Sequence, residues 1–196
     1  MRAIRSAFGG LLLAAALLPA SAETPKTAPL ASGIDRGGML PAYHPVHVAG
    51  PDRDTKTCPV CKYGARPAVQ VWVNTDDLKN VAGIVASLET AVAAHKDREL
   101  KAFVTFFNHR GQSTEEFEQS LRQMAEKHGV KNVAIAYLPG GPKDPAVKGH
   151  KINTDEAVRN TVFVYRDRKV AARFVNLTAD EKGLEQLQAA IKQVAL

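Results

Sequence analysis

From residue 68 onward the apolar positions of this chain alternate between two periods. Ala68 to Val73 predicts a strand, with Val69, Val71 and Val73 on one face. Thr75 is placed to cap a helix starting at Asp76, whose carboxylate suits a helix N-terminus. In that helix Leu78, Val81, Ala82, Val85, Leu88 and Val92 recur at helical spacing and are expected to face inward. Leu100 to Phe107 is apolar except at Lys101 and Thr105, as in a strand covered on both faces. Ser113 and Glu116 form a capping box, opening a helix with Phe117, Leu121, Met124 and Ala125 inward and Gly129 at its end. Asn132 to Leu138 is the next strand. Pro139-Gly140-Gly141-Pro142 then breaks the chain, and a loop carrying Lys143, Lys148, His150 and Lys151 leads to an expected helical turn over Thr154 to Arg159. Thr161 to Tyr165 and Val170 to Val175 read as a hairpin turning at Asp167-Arg168. Thr178 and Glu181 read as a second capping box, opening a last helix with Leu184, Leu187, Ile191 and Val194 on one face.

Upstream the pattern weakens. Val46 to Ala49 reads as a short strand, ended by Gly50-Pro51-Asp52. Glu23 to Pro45 is rich in Pro, Gly, Ala and Thr and is expected to be a flexible tether. The first 22 residues have the order of a secretory signal peptide: Arg2 and Arg5, an uncharged apolar run from Phe8 to Leu18, and the small-residue site Ala20-Ser21-Ala22. The reading is therefore a signal peptide over 1–22, a tether over 23–45 and one domain over 46–196, in a periplasmic or secreted protein. No later segment is apolar enough to cross a bilayer, so no membrane span is expected in the mature chain.

Strands alternating with helices imply a largely parallel sheet covered on both sides, with antiparallel pairing added by the closing hairpin. The stretch Asn160-Thr-Val-Phe-Val-Tyr-Arg-Asp-Arg-Lys-Val-Ala-Ala-Arg-Phe-Val175 resembles the C-terminal hairpin of thioredoxins. The helix and strand from Ser113 to Leu138 resemble the peroxiredoxin and cytochrome-maturation branch of that superfamily. The resemblance spans residues 46–196. It implies a thioredoxin-like three-layer α/β/α fold, whose mixed central sheet ends in a β-hairpin and a C-terminal helix.

Two departures from that family bear on function. Its reactive cysteines follow the first central strand, where this chain has Trp72-Val-Asn-Thr-Asp-Asp-Leu78, without cysteine. Its cis-proline is matched by Asn160. The chain's two cysteines, Cys58 and Cys61, instead precede the strand, in Lys56-Thr-Cys-Pro-Val-Cys-Lys-Tyr63. If Ala68 to Val73 is the first central strand, about 20 Å long, the pair lies at its N-terminal end. Asn160 then faces the Asn74 to Asp77 turn at the other. A second alignment takes Val46 to Ala49 as the strand before Cys58, but the helix after Cys61 then meets Gly64 and Pro67 at once.

Two thiols at this spacing close a small disulfide ring or grip a soft metal. An oxidising compartment favours the ring. One reading is thiol–disulfide exchange at Cys58 and Cys61 with a protein thiol or disulfide partner, Lys56 and Lys62 favouring the thiolate. The other is a non-enzymatic thioredoxin-fold binding protein. There the pair is a structural disulfide or part of a Cys/His metal site, in which His44 and His47 complete His-x2-His-x10-Cys-x2-Cys. The copper-delivery factors of cytochrome oxidase assembly resemble this chain in fold and compartment, with different cysteine spacing. Either way the pair is expected within disulfide reach and accessible. No organic cofactor is implied.

Asp76 and Asp77 read as helix-start acids, Trp72 as core or pocket wall, and His109 as a turn residue at the ligand-binding end of the sheet. The formal charge of +6 is interspersed, without basic runs or aromatic–basic alternation, so nucleic acid is not an indicated partner.

Overall fold

The computed structural model describes residues 30–109 and 111–196. The expected signal peptide and the first residues of the expected tether lie outside them. Six strands form one sheet: β1 (Val46–Ala49), β2 (Ala68–Val73), β3 (Lys101–Phe106), β4 (Val133–Tyr137), β5 (Asn160–Arg166) and β6 (Lys169–Val175). Their order across the sheet is β1-β4-β3-β2-β5-β6. β2, β3 and β4 run parallel, β1 and β5 run against them, and β6 closes the hairpin with β5. β2 sits at the centre and all six of its residues are buried, as its apolar run predicts.

Strand alternation divides the core in two. Val69, Val71, Val104, Ile135 and Val162 point to one face, against the helices α2 (Leu78–Ala94), α3 (Thr114–Lys127) and α5 (Glu181–Val194). Trp72, Phe103, Phe163 and Tyr165 point to the other. The cover on that second face is mostly non-helical. It consists of the chain over 30–45, the five-residue helices α1 (Pro59–Tyr63) and α4 (Pro145–Gly149), and the connection around α4.

Residues 30–45 therefore are not a free tether. Ile34, Leu40 and Tyr43 are buried. Gly37 N donates to Val170 O, Val170 N to Gly38 O and Leu40 N to Arg168 O, which lays this segment along β6. The glycines that suggest flexibility serve close packing here. A Cβ at Gly33 would stand 2.6 Å from the Phe163 ring, on a backbone at φ +86°.

The helix starts show local competition. α2 is capped by Asp77, whose Oδ1 accepts from Asn80 N at 2.8 Å. Thr75 instead donates its hydroxyl to Glu156 O, and Leu78, the first helical residue, is 57 % exposed rather than inward. The Ser113–Glu116 capping box forms as the sequence predicts. α5 is capped by Asp180, not Thr178; the Thr178 hydroxyl donates to the Asp180 carboxylate, which accepts Gly183 N at 2.7 Å. The helical turn expected over Thr154 to Arg159 forms at Pro145–Gly149, where Asp144 caps and Pro145 opens the helix. Over 153–157 the side chains of Asn153 and Asp155 accept the N–H of Asp155 and Ala157, and these local bonds compete with helix.

Candidate functional site

Cys58 and Cys61 are joined as a disulfide, with Cα atoms 5.3 Å apart. The local sequence explains the geometry. Cys58 is the N-cap of α1, Pro59 supplies the pre-set first helical residue, and Gly64, at φ +54°, ends the helix after barely one turn. The Cys58 sulfur accepts the N–H of Cys61 at 3.1 Å. Cys58 is 5 % exposed and belongs to the second-face core, whereas Cys61 lies on the outer side of α1 and is exposed. The pair is within disulfide reach as expected, but of the two residues expected to be accessible only Cys61 is exposed, and Cys58 is buried.

Asp52 fixes α1 from below. It is 2 % exposed, and its two carboxylate oxygens accept from Lys62 Nζ and the Tyr63 hydroxyl, the two residues after Cys61. Burial alone would raise the Asp52 carboxyl. The hydrogen bonds from Lys62 and Tyr63, with the Lys62 charge, outweigh it and hold the group below the usual carboxylate range. Burial and the bond to Asp52 push the Tyr63 hydroxyl far up, so it stays a donor. Lys62 is therefore paired with Asp52, and its charge is not free to favour a thiolate, as the sequence suggested. The sequence reading missed Asp52, taking Gly50-Pro51-Asp52 only as a turn; an acid ten residues before a lysine carries no local signature. Asp52→Ala is expected to lower stability by about 2 kcal/mol, because a buried tyrosine hydroxyl loses its acceptor while Lys62 can turn to water. Urea unfolding checks this, and an unchanged midpoint would remove Asp52 from the account.

His44 and His47 approach the same loop through backbone. His44 Nδ1 lies 3.3 Å from Lys56 O, and His47 Nε2 lies 2.9 Å from Thr57 O, just before Cys58. His47 is buried, and burial lowers its pKa against the opposing pull of the Thr57 carbonyl and Asp52. Both imidazoles are turned to carbonyls and both sulfurs to each other. Among the described residues no three His, Cys, Asp or Glu side chains gather as a metal-ligand set.

The chain that leaves the disulfide runs to one end of the sheet, and Asn160 lies at the other. Lys62, Tyr63 and Arg66 line a small cavity with Lys101 and Asn132, at the starts of β3 and β4. Asn160 pairs with Val73 at the far end of β2. Its Nδ2 donates to Asp76 and to Leu177 O, and its Oδ1 accepts Leu177 N. Asn160 thus faces the Asn74 to Asp77 turn, and none of the described peptide bonds is cis. In the structure β1 is an antiparallel edge strand, not the strand the second alignment requires before Cys58. Trp72 is wholly buried, packed against Tyr43, Phe107 and His150. His109 is exposed at the rim of the far end and bonded to Asn74.

Neither a protein-family model nor a curated protein matches this chain in sequence. Solved structures do match in shape. One, from Bacteroides thetaiotaomicron, is described as a putative protein disulfide isomerase; it has a TM-score of 0.61 and 12 % identity over 85 % of this chain and 94 % of its own. A putative thiol:disulfide interchange protein DsbE from Chlorobium tepidum matches with TM-score 0.59 and 13 % identity, over 83 % of this chain and 99 % of that one. The fold is thioredoxin-like. A peroxiredoxin Q from Xanthomonas campestris has a TM-score of 0.57 and 10 % identity over 79 % of this chain and 92 % of its own. The thioredoxin-like sheet, hairpin and closing helix are therefore those that the C-terminal hairpin sequence resembles, while the disulfide sits where the chain enters the central strand.

Proposed function

We propose that this is an exported thioredoxin-like protein that exchanges disulfides with a protein thiol partner through Cys58 and Cys61. The observation that carries the reading is the division of the pair into an exposed residue, Cys61, and a buried one, Cys58, whose sulfur accepts a backbone N–H. A partner thiolate attacks the Cys61 sulfur. The Cys58–Cys61 bond breaks as the mixed disulfide forms, and the electron pair leaves on Cys58, where the Cys61 N–H supports the thiolate. A second partner thiolate then attacks the partner's own sulfur in the mixed disulfide and releases Cys61. Both thiolates take protons from water. The partner is oxidised by two electrons and the pair is reduced by two; a disulfide-bearing donor restores it by the same steps reversed. The N-terminal signal supports a periplasmic or secreted setting, and among the described residues no helix is long and apolar enough to cross a membrane.

The same geometry favours a second reading in one respect. The end of the sheet that holds Asn74, Asp76 and Asn160, where thioredoxins hold their substrate chain, has no cysteine among the described residues, as in a binding protein with a structural disulfide. Mixing oxidised protein with a peptide dithiol separates the two. Exchange is expected to transfer the disulfide to the peptide in proportion to the protein added, with insulin reduction far slower than by a thioredoxin. No transfer after prolonged incubation would leave the structural reading.

A further inference from the structure

The far end of the sheet holds a cavity of about 280 Å³ that the exchange reaction does not use. It opens between the start of α2 and the face of α3, beyond the C-terminal ends of β2 and β3. Its walls are of two kinds. Phe106, Phe117, Leu121 and Met124 form an apolar side, and Leu78, unusually exposed for its size, stands at the same cavity. The polar side includes Asn74, Asp76, Asn108, His109 and Gln112.

Asp76 contributes a half-buried carboxylate, oriented by donors from Asn80, Asn160 and the Asp77 backbone. The Nδ2 of Asn74 donates to Asp155 O at 2.9 Å and to Val158 O at 2.7 Å, which fixes its Oδ1 as an acceptor. His109 must then donate from Nε2 to that oxygen, and its neutral ring leaves Nδ1 as an acceptor. Partial burial of its ring lowers the His109 pKa against the opposing pull of the Glu156 charge. Asn108, also in the lining, has a carboxamide oxygen buried without a partner. Among the described residues no Lys or Arg lines the cavity.

We propose that this cavity binds a small organic cation, an ammonium carried on an apolar chain or ring, with its nitrogen beside Asp76 and His109 and its apolar part against Phe117, Leu121 and Met124. An ammonium brings three donors and no acceptor, matching the Asp76 carboxylate, the free acceptor of His109 and the unpartnered Asn108 oxygen. An apolar body is needed because most of the remaining surface is hydrocarbon. A carboxylate or phosphate would meet the Asp76 carboxylate as a like charge.

The test is titration of the protein with hexylammonium chloride, hexanoate and butylammonium chloride at pH 7, followed by amide NMR shifts and calorimetry. Hexylammonium is expected to give saturable shifts over Asn74–Asp77, Phe107–His109 and α3. Hexanoate should bind at least about tenfold more weakly, since its charge is opposed. Butylammonium should be weaker by about fourfold for each methylene lost. Asp76→Asn should weaken hexylammonium about tenfold while leaving disulfide exchange at Cys58 and Cys61 unchanged. Non-saturating shifts, shifts confined to other regions, or hexanoate binding as tightly as hexylammonium would each overturn the proposal, and the comparison of the two charges needs no variant to fold.

Discussion

Reduced Cys58→Ser protein, which keeps only Cys61, is expected to react with an aromatic disulfide reagent on the order of 100-fold faster than reduced Cys61→Ser protein, which keeps only Cys58. The difference follows from access. Cys61 is exposed on α1, while Cys58 is 5 % exposed and packed with Val60 and Tyr63 in the second-face core. The comparison is fair to the fold. Serine is a good N-cap residue, so Cys58→Ser keeps the start of α1, and serine at the exposed position 61 disturbs no packing. Asp52 continues to hold Lys62 and Tyr63 in both variants. With a disulfide-bearing partner, the Cys61 thiolate of Cys58→Ser should attack the partner disulfide, release one partner thiolate and accumulate as the mixed disulfide, because no Cys58 thiol is there to resolve it, and Cys61→Ser should form none. Stopped-flow absorbance gives the rates. Equal rates, or a faster Cys58, would show that α1 opens readily or that the buried sulfur is the point of attack.

Between pH 7 and pH 4 the protein is expected to lose about 3 kcal/mol of stability through His150 alone. This histidine is fully buried beside Trp72 and Tyr43. Its Nδ1 meets Ala146 O at 2.9 Å, and its Nε2 has no partner. Burial pushes its pKa down to about 4, against the smaller opposing effect of the Ala146 carbonyl. The unfolded chain takes up a proton as pH falls through the ordinary value of 6.5, and the folded chain does not until about 4. The stability is therefore complete above 6.5 and is lost progressively on the way down. His47, lowered by burial as well, acts in the same direction. Urea unfolding at several pH values in this window measures the slope. His150→Phe, which keeps an aromatic ring in the cluster, should remove His150's share of it. A flat profile in the wild-type protein would contradict the buried neutral ring.

The order of strands and helices was legible because each element from Ala68 onward buries a face, so the period of apolar residues reports it directly. The match of Asn160 to the cis-proline of the hairpin it resembles also set it against the Asn74 to Asp77 turn, and in the structure it pairs with Val73 and bonds Asp76. What failed to show was set by contacts far along the chain. Gly33 and Gly37 look like linker glycines until Phe163 and Val170 are brought beside them. Leu78 fits a helical stripe, yet it lies at the helix start, where the stripe has run past the core. At the site, spacing alone brought the two cysteines within bonding reach. Which sulfur faces outward depended on Cys58 serving as the cap of a one-turn helix. Its anchor, Asp52, is defined only by the folded positions of Lys62 and Tyr63.

On the proposed function the displaced pair is an exchanging disulfide and not a fixed staple. Equilibrating the metal-free protein with glutathione buffers of graded ratio, and counting Cys58 and Cys61 thiols after acid quench, gives its reduction potential. A value between about −270 and −120 mV, the range of pairs that pass disulfides to partners, is expected. A value below about −300 mV, where structural disulfides lie, would contradict the account.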